Sequence, residues 1–180
     1  MTCWRTININ KEVGQNRLTI LSIFLGIISF IILFIPFSII HQNVTLHEPA
    51  LWQVLLGVVV LPILHKLAHA FPITFTDKEL ELKWRLKFKY IPYLKIKIKS
   101  SLSKRTSIIM MLAPSVFISL PLLLGALLFP MFYPILIVFA SIHIGISLSD
   151  WLILSFFVKA PKKCIVEKSK NNYDILVQSP

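Results

Sequence analysis

Four long apolar runs separate the polar segments of this chain. They cover residues 18–40, 50–71, 107–129 and 132–158. The first and third runs contain no charged residue, the second contains only Lys66, and the fourth contains only Asp150. At a rise of 1.5 Å per residue the first run extends over about 34 Å, which is enough to cross the hydrocarbon core of a bilayer. The pattern therefore predicts four transmembrane helices.

Two other segments show an alternation of apolar and polar residues with a period of two. From residue 80 to 90 the apolar positions alternate with Glu, Lys and Arg, and after a break at Ile91-Pro92 the residues 94–98 alternate with lysines. This pattern predicts a β-hairpin within residues 72–106 that has one apolar and one basic face. A shorter hairpin is predicted in the tail, residues 159–180, from Ile165-Val166 to Ile175-Leu176-Val177.

The expected fold is thus an all-α multi-pass membrane bundle of four helices with two small hairpins. We take residues 1–180 as a single integral membrane domain. Its composition excludes most soluble domains and disordered chains, because 56% of the residues are hydrophobic, 15% are charged, and the mean hydropathy is +0.75. The first run is longer than the apolar region of a signal peptide, so we expect a retained helix.

Basic residues predict the orientation of the chain. The net charge is +11, and the lysines and arginines other than Lys66 lie before the first run, in residues 77–105 and after residue 158. The positive-inside rule therefore places both termini and residues 72–106 in the cytoplasm of a cell membrane. We expect an anionic inner leaflet, not a nucleic acid, as the partner of this charge. The open edge of the hairpin could instead receive an extended peptide or another membrane protein. The Lys- and Ile-rich composition is typical of a low-GC bacterium.

Titratable residues inside the apolar runs are the candidates for a functional site, because such groups are costly at bilayer depth. His65 and His69 are four residues apart, so both imidazoles lie on one face of a helix and could reach one metal ion. In the fourth run, His143, Ser147 and Asp150 also share a face.

Depth along the helices decides which of these groups could meet. Counted from the outer ends of their helices, His65 is about 22 Å deep and Asp150 about 27 Å deep. Two histidines and one carboxylate form a common zinc ligand set with a fourth position left for water. His143 lies two turns shallower than Asp150, where it could orient a neighbouring residue or line an access path.

These residues also carry a resemblance to a known family. Residues 65–70, His-Lys-Leu-Ala-His-Ala, look like a degenerate HExxH zincin motif, and residues 147–151 look like the glycine-or-serine-then-aspartate motif of a last helix. Ala113-Pro114 and residues 165–167 fit as well. Over roughly residues 45–178 the chain resembles bacterial membrane proteins of unknown function described as "putative zincin peptidases", similar in layout to site-2-type intramembrane proteases. The resemblance implies that His65, His69 and Asp150 correspond to zinc ligands.

One residue departs from the motif of that family. The family's glutamate, the expected general base, is Lys66 in this chain. A zinc peptidase needs a group that accepts a proton from a metal-activated water, and a protonated lysine cannot do so. The resemblance with this departure implies a catalytically impaired pseudopeptidase that binds peptides without cutting them.

A second interpretation needs no metal. Lys66 and Asp150 could form an intramembrane ion pair, with the histidines hydrogen-bonded inside the bundle. The chain would then be a small non-enzymatic membrane protein, such as a transporter accessory subunit or an immunity-like protein. This interpretation predicts that replacing His65, His69 and Asp150 leaves function and partner binding unchanged.

Overall fold

Helices account for most of the chain in the computed structural model. The structure describes residues 2–76, 80–87, 91–98, 101–169 and 172–177, with 80–87 and 91–98 described by their backbone. The helices are α1 (Gln15–Ile40), α2 (Leu51–Thr74), α3 (Lys104–Pro114), α4 (Leu120–Leu128), α5 (Tyr133–Ile146) and α6 (Leu148–Lys159). All four predicted apolar runs are helical, with boundaries that differ by a few residues from those predicted.

Three helical segments are long and apolar enough to cross a membrane. They are Asn10–Ile40, Leu51–Thr74 and Lys104–Leu128, and there are up to four if the bent pair α5–α6 is one span. The first segment is longer than predicted because a π-helical turn, Asn10–Gly14, precedes α1. In this respect the predicted bundle agrees with the length and composition of the observed helices.

The third segment is not one regular α-helix. A π-helical turn, Ser115–Ser119, joins α3 to α4, and its wide hydrogen bonding is visible where the Leu120 N–H donates to the Ser115 carbonyl. Pro114 precedes the turn, and Pro121 follows it. A proline inside a helix has no N–H to donate and crowds the preceding turn, which favours such a local adjustment.

The fourth predicted helix, residues 132–158, is interrupted, which corrects the expectation of one continuous helix. A 3₁₀ turn, Pro130–Phe132, leads into α5, and the axes of α5 and α6 differ by 49° across Ser147. The N–H and the hydroxyl of Ser147 both donate to the His143 carbonyl, each at 2.9 Å. A serine that bonds back to the preceding turn can bend a helix, and this bond lies at the break.

The C-terminal hairpin is confirmed, and it belongs to a larger sheet. Strands β5 (Cys164–Lys168) and β6 (Tyr173–Val177) pair antiparallel, and the sheet has the order β1-β6-β5-β4. The edge strands are β1 (Thr2–Ile7) and β4 (Leu102–Ser103). Strand β1 was not predicted from the sequence, since it lacks a regular alternation and has a register shift between Cys3 and Arg5.

The basic hairpin of the sequence analysis is present as a two-stranded antiparallel sheet. Strands β2 (Leu80–Lys87) and β3 (Ile91–Ile98) pair in register from Leu80 opposite Ile98 to Lys87 opposite Ile91. The expected break at Ile91-Pro92 is wrong, since Pro92 lies inside β3 opposite Leu86. Proline is tolerated there because each strand of a two-stranded sheet is an edge strand. The two predicted faces concern side chains outside the described part of the chain.

Packing divides the chain into two units. One comprises Met1–Gln15, Lys66–Ala113 and Asp150–Pro180, and the other comprises Asn16–His65 and Pro114–Ser149. The first unit contains the four-stranded sheet, with a core that includes Ile7, Ile73, Phe157 and Ile175, all fully buried. The second unit has a core of Phe37, Ala126, Tyr133 and Ile137.

Within the first unit, the side chain of Lys104 caps the C-terminal end of α6. The ammonium of Lys104 donates to the carbonyls of Val158 and Ala160, at 3.0 and 2.5 Å. The last carbonyls of a helix lack partners in the helix itself, so a cation there is stabilising. Burial raises the pKa of the neighbouring Cys164 thiol, and the charge of Lys104 acts in the opposite direction. Cys164 is therefore a packing residue, not a reactive thiolate.

In the second unit, α1 and α5 approach each other closely at Gly145. A Cβ at this position would lie 2.6 Å from the backbone carbonyl oxygen of Ser22. We therefore expect Gly145→Ala to destabilise the protein by about 1–3 kcal/mol, the usual effect of overpacking. A lower midpoint of thermal unfolding in detergent would show this. Gly125→Ala is the control, because its Cβ would meet only the flexible end of Leu136, at 3.4 Å. Equal midpoints for both variants would contradict the prediction.

Candidate metal centre

Helix α2 carries two of the three candidate ligands. His65 and His69 are one turn apart on this helix, so their side chains project from the same face. His65 is buried, with 7% of its surface exposed, and the side chain of His69 is 17% exposed. Both imidazoles are thus largely shielded from solvent, as ligands of a metal in a protein interior would be.

His69 is held at both ring nitrogens. Its Nδ1 lies 2.7 Å from the carbonyl oxygen of Met110 in α3, and its Nε2 lies 3.3 Å from Oδ2 of Asp150 in α6. A carbonyl oxygen can only accept, so the proton of a neutral His69 is on Nδ1 and donates to Met110. The Nε2 lone pair then points toward Asp150. Histidines that bind a metal through one ring nitrogen characteristically donate the N–H of the other nitrogen to a carbonyl or carboxylate oxygen, as His69 does to Met110.

Asp150 occupies the first turn of α6. The break at Ser147 starts a new helix at Leu148, and Asp150 is its acidic first-turn residue. The partial positive charge of a helix N-terminus stabilises a carboxylate at this position. Asp150 is 7% exposed, so its charge is placed in a largely dehydrated environment. A continuous helix over residues 132–158 would not provide this local stabilisation.

His65 makes its contact with a different residue type. Its Nδ1 lies 3.0 Å from Nε2 of His143 in α5, and Nδ1 of His143 lies 2.7 Å from the hydroxyl oxygen of Ser119. His143 is fully buried, and Ser119 is 8% exposed. His143 was expected from the sequence to orient a neighbouring residue or line an access path, and the structure brings it against His65.

The donor atoms of His65, His69 and Asp150 form one group. One ligand atom from each residue lies within 4.8 Å of the others. Two ligands about 2.1 Å from a tetrahedral zinc ion are about 3.4 Å apart, and the His69–Asp150 contact of 3.3 Å has nearly this separation. A charge-assisted N–H···O hydrogen bond is usually shorter, about 2.7–2.9 Å. The predicted cluster is therefore present, and it is compatible with a metal site.

Lys66 lies on α2 directly after His65 and is half-buried. It occupies the position at which the HExxH motif has its glutamate. No carboxylate stands between the two histidines in the sequence.

Two contributors to this centre were not predicted. Ser119 is one serine within an apolar run, and its signal in the sequence is only that a buried hydroxyl needs a partner. Met110 contributes its backbone carbonyl, which every residue has, so no side-chain pattern could indicate it.

Comparison with known proteins relates part of the chain to a family. The sequence model of a family described as "Putative zincin peptidase" matches residues 58–165. The matched segment includes both histidines of α2, the π-helical turn and Asp150. Neither the curated proteins nor the solved structures contain a significant match to this chain.

Proposed function

The chain belongs to this zincin peptidase family, and on that premise we propose that it is a zinc-binding membrane protein with impaired peptidase activity. The observation that carries the proposal is the cluster of His65, His69 and Asp150, whose donor atoms lie within 4.8 Å of one another. When bound, zinc supplies a Lewis acid that polarises a carbonyl group or activates water. The remaining chemistry depends on the residues around it.

Exposed apolar surface supports a membrane location. Large hydrophobic side chains along α1 and α2, such as Ile32, Leu51 and Val59, are more than 60% exposed. Soluble monomers rarely expose contiguous apolar patches of more than a few hundred Å². Together with the charge distribution, this supports a multi-pass protein of the cell membrane with both termini in the cytoplasm.

The substitution at Lys66 supports impaired catalysis. The family position of the general base carries a side chain that is a cation at neutral pH. Loss of a positioned general base typically reduces a rate by about 10²–10⁴-fold. The residues that would hold zinc are retained, so we propose that the protein binds extended or transmembrane peptides without cleaving them.

The proposal is tested by the zinc content and the peptidase activity of detergent-purified protein. We expect close to one zinc per chain, measured by mass spectrometry of protein purified without a polyhistidine tag. A variant in which all three ligands are alanine should retain almost none. His47→Ala removes an exposed histidine outside the cluster, so it should retain the wild-type content. Wild-type protein without zinc would overturn the proposal.

Activity is the second part of this test. Fluorescence-quenched peptides of transmembrane sequence, added in detergent micelles, should not be cleaved by wild-type protein above the rate seen with the triple alanine variant. Cleavage by wild type that is lost in Lys66→Ala would show that Lys66 itself serves as a base, and impairment would be excluded.

A further inference from the structure

Buried hydrogen bonds connect the candidate ligand His65 to two residues that are not ligands. The chain runs from Ser119 through His143 to His65, with distances of 2.7 and 3.0 Å between the atoms. All three residues are less than 10% exposed. Both ring nitrogens of His143 are used in these contacts, so His143 does not have a nitrogen left to bind a metal.

The positions of the protons in this chain determine whether His65 can bind a metal. A neutral imidazole has one N–H donor and one acceptor nitrogen. For Nε2 of His65 to offer its lone pair, the proton must be on Nδ1 and donate to Nε2 of His143. His143 then carries its own proton on Nδ1 and donates to the Ser119 oxygen. With the opposite arrangement His143 would donate to His65, and the Nε2 of His65 would carry a hydrogen.

The two histidines of α2 are therefore fixed by different means. His69 donates to a backbone carbonyl, which can only accept, so its tautomer is determined by Met110. His65 faces an imidazole, which can accept or donate. The Ser119 hydroxyl on the far side of His143 can also accept or donate, and the tautomer of His65 that offers Nε2 is the one in which this hydroxyl accepts from Nδ1 of His143.

We propose that His143, supported by Ser119, is a positioning residue that holds His65 with Nε2 toward the cluster and thereby sets the zinc affinity. This inference rests on the proposed function. Two irregular segments of the helices carry residues of this hydrogen-bonded chain or lie beside it. Ser119 is the last residue of the π-helical turn, and the His143 carbonyl accepts from Ser147 at the end of α5.

The test is the zinc dissociation constant, measured by competition with a chromogenic chelator of known affinity. His143→Phe keeps a buried ring but removes the acceptor, and we expect zinc to bind about 10–100-fold more weakly, as for other residues that orient ligands. His143→Gln restores an acceptor near the position of Nε2 and should bind zinc close to wild-type strength. Ser119→Ala should give a smaller loss, because it removes only the acceptor for the Nδ1 proton of His143 and leaves the acceptor for His65 in place.

The control is Ser141→Ala on the same helix. Ser141 is buried and its hydroxyl donates to the Ile137 carbonyl, so this variant loses a buried hydrogen bond outside the chain that reaches His65. It should leave the zinc affinity unchanged. All variants are compared by size-exclusion profile and by thermal unfolding without zinc, so that a folding defect is recognised.

Several outcomes would overturn the inference. His143→Phe binding zinc as tightly as wild type would exclude a positioning role. His143→Gln being as weak as His143→Phe would show that the acceptor is not what matters. If the absorption spectrum of the Co²⁺-loaded protein changed its coordination pattern in His143→Gln, His143 would be a ligand and not a positioning residue. Wild-type protein that binds no zinc would overturn the proposed function and this inference together. The other outcomes overturn only the role of His143 and leave the proposed function standing.

Discussion

Asp150→Asn is expected to lower the zinc affinity by more than about 100-fold, beyond the loss produced by residues that only orient ligands. Asp150 is the only acidic member of the cluster, and asparagine has the same shape without the charge. The amide N–H of the asparagine can donate to the Nε2 lone pair of His69, so a contact with His69 is kept. The difference between the two side chains is therefore the negative charge that zinc binding requires in this dehydrated position.

The measurement is the shift of the unfolding midpoint on addition of zinc. A ligand at 100 times its dissociation constant stabilises the folded state by about 2.7 kcal/mol, so wild-type protein should unfold at a higher temperature with zinc. Asp150→Asn should show no such shift. Asp174→Asn is the control, because Asp174 accepts from the Thr6 hydroxyl in the sheet and belongs to no metal cluster among the described residues.

The outcomes separate the two interpretations of the centre. An equal zinc shift in Asp150→Asn would show that zinc binds elsewhere. No shift in either protein, with a lower unfolding temperature for Asp150→Asn, would favour the ion pair of Lys66 and Asp150 without a metal. That result would turn the search from substrates to stable protein partners.

The helical segments could be predicted because bilayer thickness fixes both the length and the composition of a spanning helix. The run from 18 to 40 is 23 residues long without a charge, and this length and composition predict a helix. The break at Ser147 could not be predicted in the same way. Hydropathy is unchanged across it, and the back-bonded hydroxyl of Ser147 is not distinctive, because Ser141 makes the same bond inside α5.

Long-range pairing explains the element that was missed. Strand β1 pairs with β6, with Thr2 opposite Val177. Its residues are mostly exposed and do not alternate, so the strand is specified by its partner at the other end of the chain and not by its own sequence. The β5–β6 pair was predictable because its two strands are apolar and joined by a short polar turn.

The three ligand candidates were predictable for a related reason. His65 and His69 are placed together by the period of a single helix, and Asp150 is the only acid in an apolar run. Ser119 and the Met110 carbonyl were not predictable. Ser119 contacts His143 and the Met110 carbonyl contacts His69 only because the helices pack together. Neither serine nor methionine is a residue type that indicates a metal site in this pattern.

Lys66→Glu is expected to raise both the zinc affinity and the peptidase activity. With zinc, Asp150 and Lys66 charged, the centre carries a net charge of about +2, and a glutamate at this position would bring it to about zero. The same change restores a group that can accept a proton. We expect cleavage of the fluorescence-quenched peptides to exceed the wild-type background by about 10²–10⁴-fold, the usual contribution of a general base.

Lys66→Gln separates the two effects of that substitution. Glutamine removes the positive charge but cannot act as a base at neutral pH, so this variant should bind zinc more tightly than wild type and remain inactive. The double variant Lys66→Glu/Asp150→Asn should lose both zinc and activity. If Lys66→Glu bound zinc tightly and cleaved no peptide, Lys66 would not be the sole cause of impairment. The peptide-binding or positioning parts of the centre would then have diverged as well, and the chain would be better regarded as a zinc-stabilised binding protein than as a peptidase one substitution away from activity.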